Sequence, residues 1–320
     1  MPIGFPSLKS AARSPDYLGL LDPDALAKIH RMELVARGVV EGFVSGRHRS
    51  PYRGFSVEFA AHREYSPGDN IRDLDWRVFG RTDRYYVKQY IEETNLRATI
   101  LLDASGSMAY TGDMAAMHAG RRLSKFDYAR FLAASLTHLL INQQDAVGLV
   151  TFDTAVRRYL PARSRASHLR VLLRELCATE PGQETALAPI FHDIAERVHR
   201  RGLVIVISDL FDGPEQILKA LHHFRFRKHE VIVMHVMAEE EIAFPFQRWS
   251  QFRDLEVHGR QIDLDPRAIR AAYLDEVRRF LAAVEKGCGE MKVDYVSFST
   301  RQDFDIALLG YLAHRRMTAK

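Results

Sequence analysis

Ala98-Thr99-Ile100-Leu101-Leu102-Asp103-Ala104-Ser105-Gly106-Ser107 is the stretch that decides the fold. An apolar run of strand length ends on a carboxylate, and two hydroxyls follow within four residues. Continuous runs of this kind suit strands buried on both faces, as in parallel sheets covered by helices. Further runs lie at 146–152, 203–207, 231–237 and 293–298. Helical patterns separate most of them, at about 125–143, 167–177, 187–200, 214–226 and 266–286, with a last one at about 303–316. This alternation predicts an α/β fold, a doubly wound and mainly parallel sheet, over residues 95–320. The rhythm breaks at about 238–262. There Glu239-Glu240-Glu241, Pro245, Trp249 and the alternation of Phe252, Leu255 and Val257 read as a β-rich insertion near the sheet edge.

Residues 1–94 read as a separate extension. The segment to about Leu21 is a polar lead-in; Asp22 then caps a helix with Pro23 at its first position and Leu26, Ile29, Leu34 and Val35 on one face. Gly42 to Arg53 is a basic loop, read as solvated. Phe55, Val57 and Phe59 predict one strand, Tyr85 to Ile91 another, and Ser66-Pro67-Gly68-Asp69 a turn. Between the strands runs a dense alternation of charge, Asp69, Arg72, Asp73, Asp75, Trp76, Arg77 and Arg81. An internal ion-pair network is the preferred expectation, since Arg forks pair carboxylates bidentately. A docking surface on Arg72, Trp76, Arg77 and Arg81 is the sharper alternative.

The composition narrows the function. In 320 residues, 47% are hydrophobic and 27% charged, the balance of a globular protein. Lys and Arg number 45 against 41 Asp and Glu, an excess too small to mark a nucleic-acid binder. Two cysteines, Cys177 and Cys288, cannot form a disulfide framework or a four-thiolate zinc site. The first twenty residues lack an apolar h-region, and no apolar stretch reaches membrane-helix length. The expectation is a cytoplasmic protein. Cys177 reads as a core residue and Cys288, between Gly287 and Gly289, as the more exposed thiol. His222, His223, His229 and His235 read as solvated or helix-terminal.

The loop after the first α/β strand sits where open α/β sheets bind ligands. Two more pieces fall at corresponding places: Thr185 in the loop before the helix at 187, and Asp209 at the end of the strand 203–208. Two carboxylates and three hydroxyls are hard oxygen ligands, suited to Mg²⁺ or Mn²⁺ rather than zinc or copper. Each residue taken alone is explained as a helix cap or strand end. Five on successive strand ends favour a site.

Asp103-x-Ser105-x-Ser107, Thr185 and Asp209 together resemble the metal-ion-dependent adhesion site of von Willebrand factor A domains. Tyr65-Ser-Pro-Gly-Asp69, Arg72-x-x-Asp75-Trp76-Arg77, Lys125-x-Asp127-Tyr128-Ala129 and Asp145-x-Val147-Gly148-Leu149-Val150-Thr151-Phe152 resemble, more narrowly, a bacterial domain-of-unknown-function family (number fifty-eight). That family carries this domain and is commonly encoded beside MoxR-type AAA+ ATPases. The likeness continues through Phe252-x-Asp254-x-Glu256, Ile269-x-x-x-Tyr273 and Tyr311-Leu312. Many members have N-terminal membrane helices, which this sequence lacks. The resemblance implies that Ser105, Ser107 and Thr185 ligate the metal directly, that Asp103 and Asp209 hold it mainly through water, and that a partner's Asp or Glu completes the coordination.

The main enzymatic alternative is a Mg²⁺-dependent phosphohydrolase of haloacid-dehalogenase type. It needs a second Asp two residues after the first as general acid, and that position is Ser105. Walker, dinucleotide and nucleophile-elbow motifs are absent from the sequence. The expectation is therefore an interaction module and not an enzyme.

Overall fold

The computed structural model describes residues 57–66, 74–92, 96–118, 120–182, 187–198, 200–256 and 259–318. The helix expected at 23–35, the basic loop at 42–53 and the Ser66–Asp69 turn beyond Ser66 lie outside these residues. The chain divides into two compact units, one of them Phe43–Asn95 and the other the remainder.

In the smaller unit, β1 (Val57–Glu64) pairs antiparallel with β2 (Tyr86–Glu92), with a register shift between Phe59 and Ala61. Between them the charged segment forms a short helix, α1 (Trp76–Thr82), which the sequence reading did not anticipate. Its start is local chemistry: the Asp75 carboxylate accepts from the backbone N–H groups of Arg77 (3.0 Å) and Val78 (3.3 Å). Phe79 stacks on Tyr85 with ring centroids 4.5 Å apart.

The larger unit carries a short antiparallel hairpin, β4 (Met117–His118) with β5 (Arg121–Arg122), and is built on a six-stranded sheet. The strands are β3 (Arg97–Asp103), β6 (Ala146–Phe152), β7 (Val156–Arg163), β8 (Leu203–Ser208), β9 (Glu230–Met237) and β12 (Asp294–Ser299). They lie in the order β12-β9-β8-β3-β6-β7, and all pairings within this sheet are parallel except that of β7 with β6. The expected α/β architecture is present, with β7 as an antiparallel edge. Its sequence Val156-Arg-Arg-Tyr-Leu-Pro-Ala-Arg163 is mostly exposed or half-buried and gives no apolar run, as befits an edge strand.

Period-two alternation sends neighbouring strand residues to opposite faces. Leu101, Val150, Val204, Val206 and Val233 form one core with helices α4 (Leu187–Arg197), α5 (Pro214–Phe226) and α7 (Pro266–Glu290). The intervening residues, Ile100, Leu102, Leu149, Ile205 and Met234, are equally buried. The strands on that side pack against α2 (Lys125–Asn142), itself buried over most of its surface. Helix α8 (Phe304–Thr318) adds Phe304, stacked on Phe131 of α2 at 4.9 Å. Helix α3 (Ala166–Ala178) also packs on α2.

The segment expected as a β-rich insertion is mixed. Glu239-Glu240-Glu241 lies in a one-turn helix, α6 (Glu239–Ala243), and only the remainder is a hairpin, β10 (Ser250–Arg253) with β11 (Gln261–Leu264). An aromatic cluster of Phe244, Phe246, Phe252 and Tyr273 anchors the hairpin to α7. The two cysteines exchange their expected roles. Cys288 is fully buried, with burial pushing its thiol up to about 12, whereas Cys177 is half-buried. Helix α7 runs through the Gly-Cys-Gly triplet, and a Cβ at Gly287 would overlap Leu218, so that glycine serves close helix packing and not a loop.

Candidate metal centre at the switch point of the sheet

Strand order reverses between β3 and β8, since the chain first adds β6 and β7 on one side and then β8, β9 and β12 on the other. The carboxyl ends of these two strands frame the crevice where an open α/β sheet exposes loops from both halves. Asp103 ends β3 and Asp209 follows β8 directly.

Asp103 is fully buried. Its Oδ1 accepts from the Ser105 backbone N–H (2.9 Å), which shapes the loop, and its Oδ2 accepts from the Ser208 hydroxyl (2.6 Å). Burial, together with the Asp209 charge, raises its pKa to about 7; the bonds from Ser208 and Ser105 oppose this without cancelling it. The hydroxyls of Ser105 and Ser107 lie 3.1 Å apart, both buried. Gly106 between them has no alternative residue, because any Cβ would drive into the Leu255 carbonyl oxygen from the tip of the β10–β11 hairpin.

Asp209 is held more elaborately. Its Oδ2 accepts from the Lys125 ammonium at 2.7 Å, while its buried Oδ1 has no hydrogen-bond partner. Lys125 also donates to Glu241 at 2.6 Å. It is the first residue of α2, following the cap Ser124, so its charge opposes the helix dipole and it is almost fully buried. Burial alone would lower its pKa, but the Asp209 and Glu241 carboxylates reverse this and hold it above its ordinary value. Glu241 additionally accepts from the Ala238 N–H (2.8 Å), and Glu240 accepts from Met114 N–H (2.7 Å), tying the loop after Ser107 to α6.

The turn after Asp209 is strained. Leu210, buried and not a glycine, has φ 51, and its N–H donates to the Ser208 hydroxyl at 2.9 Å. His235 on β9 locks the same turn. Its Nε2 lies 2.9 Å from the Asp209 carbonyl, which can only accept, so the proton resides on Nε2 and Nδ1 accepts from the Tyr295 hydroxyl (2.7 Å). Burial drives its pKa down to about 4, consistent with that neutral tautomer. His235, on β9, and His229, just before that strand, are both buried, where solvated or helix-terminal positions were expected.

Of the five expected ligands, the fold gathers Asp103, Ser105, Ser107 and Asp209 at one place. Thr185 lies outside the described residues. Its loop reaches the site as far as Gly182, whose N–H donates to the Ala104 carbonyl at 2.8 Å. Among the described residues no three of His, Cys, Asp and Glu converge as a metal-binding group. The donor set is two carboxylates with hydroxyls, and the residues fit a hard divalent cation: Asp209 retains a buried, unpaired oxygen, and Asp103 is burdened by a neighbouring like charge. Three participants were not foreseen. Lys125 lies 84 residues from Asp209 and 116 from Glu241, and Ser208 lies 105 from Asp103; a Lys opening a mainly apolar helix was the available signal for the first. The other expected contacts belong to the smaller unit. Trp76 is 60% exposed, Arg77 and Arg81 are exposed, and Arg72 lies outside the described residues.

Fold and site together define an α/β protein with an oxygen-donor cluster at its switch point. The chain belongs to the family described as "Protein of unknown function DUF58", whose model matches residues 61–282. An uncharacterized protein of Mycobacterium tuberculosis (strain ATCC 25618 / H37Rv) is 28% identical over 310 residues, 93% of this chain and 92% of its own. An uncharacterized protein of Mycobacterium bovis gives the same figures. Among solved structures, an aerotolerance-related membrane protein from Bacteroides fragilis NCTC 9343 matches at TM-score 0.47 and 19% identity, over 70% of this chain and 99% of that one. The conserved hypothetical protein BatB from Bacteroides thetaiotaomicron matches at TM-score 0.45 and 18% identity, over 70% and 98%. No helix among the described residues is long and apolar enough to cross a membrane.

Proposed function

We propose that the chain is a metal-dependent protein-interaction module with a von Willebrand factor A-like fold, acting in the cytoplasm. The observation that carries this reading is the buried, unpaired Asp209 Oδ1 at the same switch point as the Ser105–Ser107 hydroxyl pair. Ser105, Ser107 and Thr185 would hold Mg²⁺ or Mn²⁺ directly, with Asp103 and Asp209 contributing mainly through water. When bound, the ion supplies a positive centre with an open position for an acidic side chain of a partner. Lys125 orients the Asp209 carboxylate, and Ser208 fixes that of Asp103. Hydroxyl donors leave the charge of such a centre uncancelled, so a carboxylate is its natural ligand.

The partner we favour is a MoxR-type AAA+ ATPase or a substrate delivered to one, on the strength of the family likeness given above. A single carboxylate contact cannot sustain a complex, and Trp76, Arg77 and Arg81 (with Arg72) are candidates for further contacts. The phosphohydrolase alternative is disfavoured. Both Asp103 oxygens already accept hydrogen bonds, which blunts a nucleophile, and a hydroxyl stands where a general acid is needed.

Titration calorimetry or Mn²⁺ relaxation on wild type and the Ser105→Ala/Ser107→Ala variant tests the site. Wild type should bind one ion and the variant at least tenfold more weakly; equal binding would sink the proposal. Capture of a purified MoxR-type ATPase should be abolished by EDTA and restored by Mg²⁺.

A further inference from the structure

Beside the candidate centre lies a cavity of about 420 Å³ at the carboxyl ends of β8 and β9. Leu210, Phe211, Met237, Tyr273, Val277 and Phe280 supply its apolar lining, and Asp209, Lys125, Glu241 and His235, with Asp212 and Glu276, the polar part, called its floor below. Asp209 is common to the cavity and the oxygen cluster, so whatever reaches one lies next to the other.

The floor determines what the cavity can take. The Lys125 ammonium is engaged by two carboxylates. Both nitrogens of His235 have partners, and the Tyr273 hydroxyl donates to the Glu241 carbonyl at 3.0 Å. Asp212 accepts from the Gly213 N–H at 2.7 Å and Glu276 pairs with Arg279 at 3.2 Å. Asp209 Oδ1 is unpaired, and the reading above assigns it to the metal. A polar ligand would have to compete with the other bonds, whereas an apolar one only removes apolar wall from water. At the rim Phe211, two residues beyond Asp209, is 66% exposed. A large aromatic held in solvent beside a formed apolar pocket is the usual anatomy of an anchor site.

We propose that this cavity receives a bulky apolar side chain, of Leu, Met or Phe size, which the partner carries close to the acidic residue it offers to the centre. The partner's recognition element is then a composite of one carboxylate and one large apolar group, and the cavity selects among acidic segments that the centre alone would not distinguish. This rests on the reading of the oxygen cluster given under the proposed function.

The test uses the full-length protein and capped peptides bearing one Asp and one variable residue, Phe, Ala or Lys, separated by zero, one or two glycines in either order. With Mg²⁺ present, Phe peptides of at least one spacing should bind tenfold or more tighter than their Ala counterparts. Val277→Trp, which fills the cavity from the half-buried face of α7, should erase that preference while leaving Mg²⁺ affinity and binding of the Ala peptides unchanged. Val277→Ala, which enlarges it, should retain the preference. Phe no better than Ala at every spacing, Lys better than Phe, or a preference untouched by Val277→Trp would overturn the proposal. A Val277-dependent preference for Phe that survives EDTA would uphold the cavity and instead remove the metal from the account.

Discussion

The two ends of the central sheet are built to different rules. At the amino ends of the strands, charged side chains serve the backbone: Asp145 accepts from Leu96 N–H (2.9 Å), Arg225 donates to the His229 carbonyl (2.7 Å), and Arg97 to that of Ala162 (3.3 Å). At the carboxyl ends, Asp103, Asp209 and Lys125 are buried against one another, Glu241 completes the group, and Leu210 is strained. One end closes the fold. The other holds formal negative charge in excess within low dielectric, a state that costs stability unless a ligand offsets it.

The largest expected effect comes from removing the cation that Asp209 and Glu241 share at the carboxyl end. Lys125→Met leaves Asp209 and Glu241 uncompensated and should destabilise the protein by about 3–5 kcal/mol in urea unfolding. Adding Asp209→Asn to that variant should recover part of the loss. A Lys125→Met protein as stable as wild type would show that the two ends do not differ.

A smaller effect, of opposite sign, is expected at Asp103. Its pKa is raised from 3.8 to about 7, so the folded protein holds a proton that the unfolded chain has lost between those values. Stability from this group therefore falls as pH rises through that window. In chelator at pH 8, Asp103→Asn should stabilise the protein by roughly 1–2 kcal/mol. With saturating Mg²⁺ the same substitution should destabilise it relative to wild type. Thermal melts in EDTA and in Mg²⁺ measure both.

At the amino end the smallest effect is expected. His229 is buried and its pKa is lowered, chiefly by burial. The unfolded chain takes up a proton near pH 6.5 that the folded protein refuses, so stability is lost as pH falls below that value. His229→Asn should flatten the pH dependence between 7 and 5 by about 1 kcal/mol or less, whatever its absolute cost. An unchanged slope would place the acid sensitivity elsewhere, with His235 the first candidate.

The alternation of apolar runs and helical patterns was legible because parallel strands buried on both faces carry uninterrupted Val, Ile and Leu. Strand ends were legible for the same reason, and with them Asp103, Ser105, Ser107 and Asp209. Edge strand β7 was not, because a strand that is mostly exposed or half-buried has no apolar run to announce it. Helix α1 was hidden because its cap, Asp75, stands among arginines and reads as an ion-pairing group. Lys125 and Glu241 escaped because their partnership joins residues 116 apart. His235 was misplaced because a buried neutral imidazole is specified by its Tyr295 and Asp209 partners and not by its neighbours in sequence.

The Leu255 carbonyl that forbids a side chain at Gly106 has a kinetic consequence. The hairpin that supplies it consists of two four-residue strands, too short to be stable alone, and its Leu255 carbonyl abuts Gly106 in the Ser105–Ser107 loop. Ser105 and Ser107 on either side of Gly106 are both buried, so the loop or the ribbon has to move before a ligand reaches their hydroxyls. Association is then paced by that movement, and the on-rate should lie below the 10⁵–10⁷ M⁻¹s⁻¹ usual for preformed protein surfaces. Shortening the ribbon should raise both the on-rate and the off-rate, so that it sets the lifetime of the complex more than its strength.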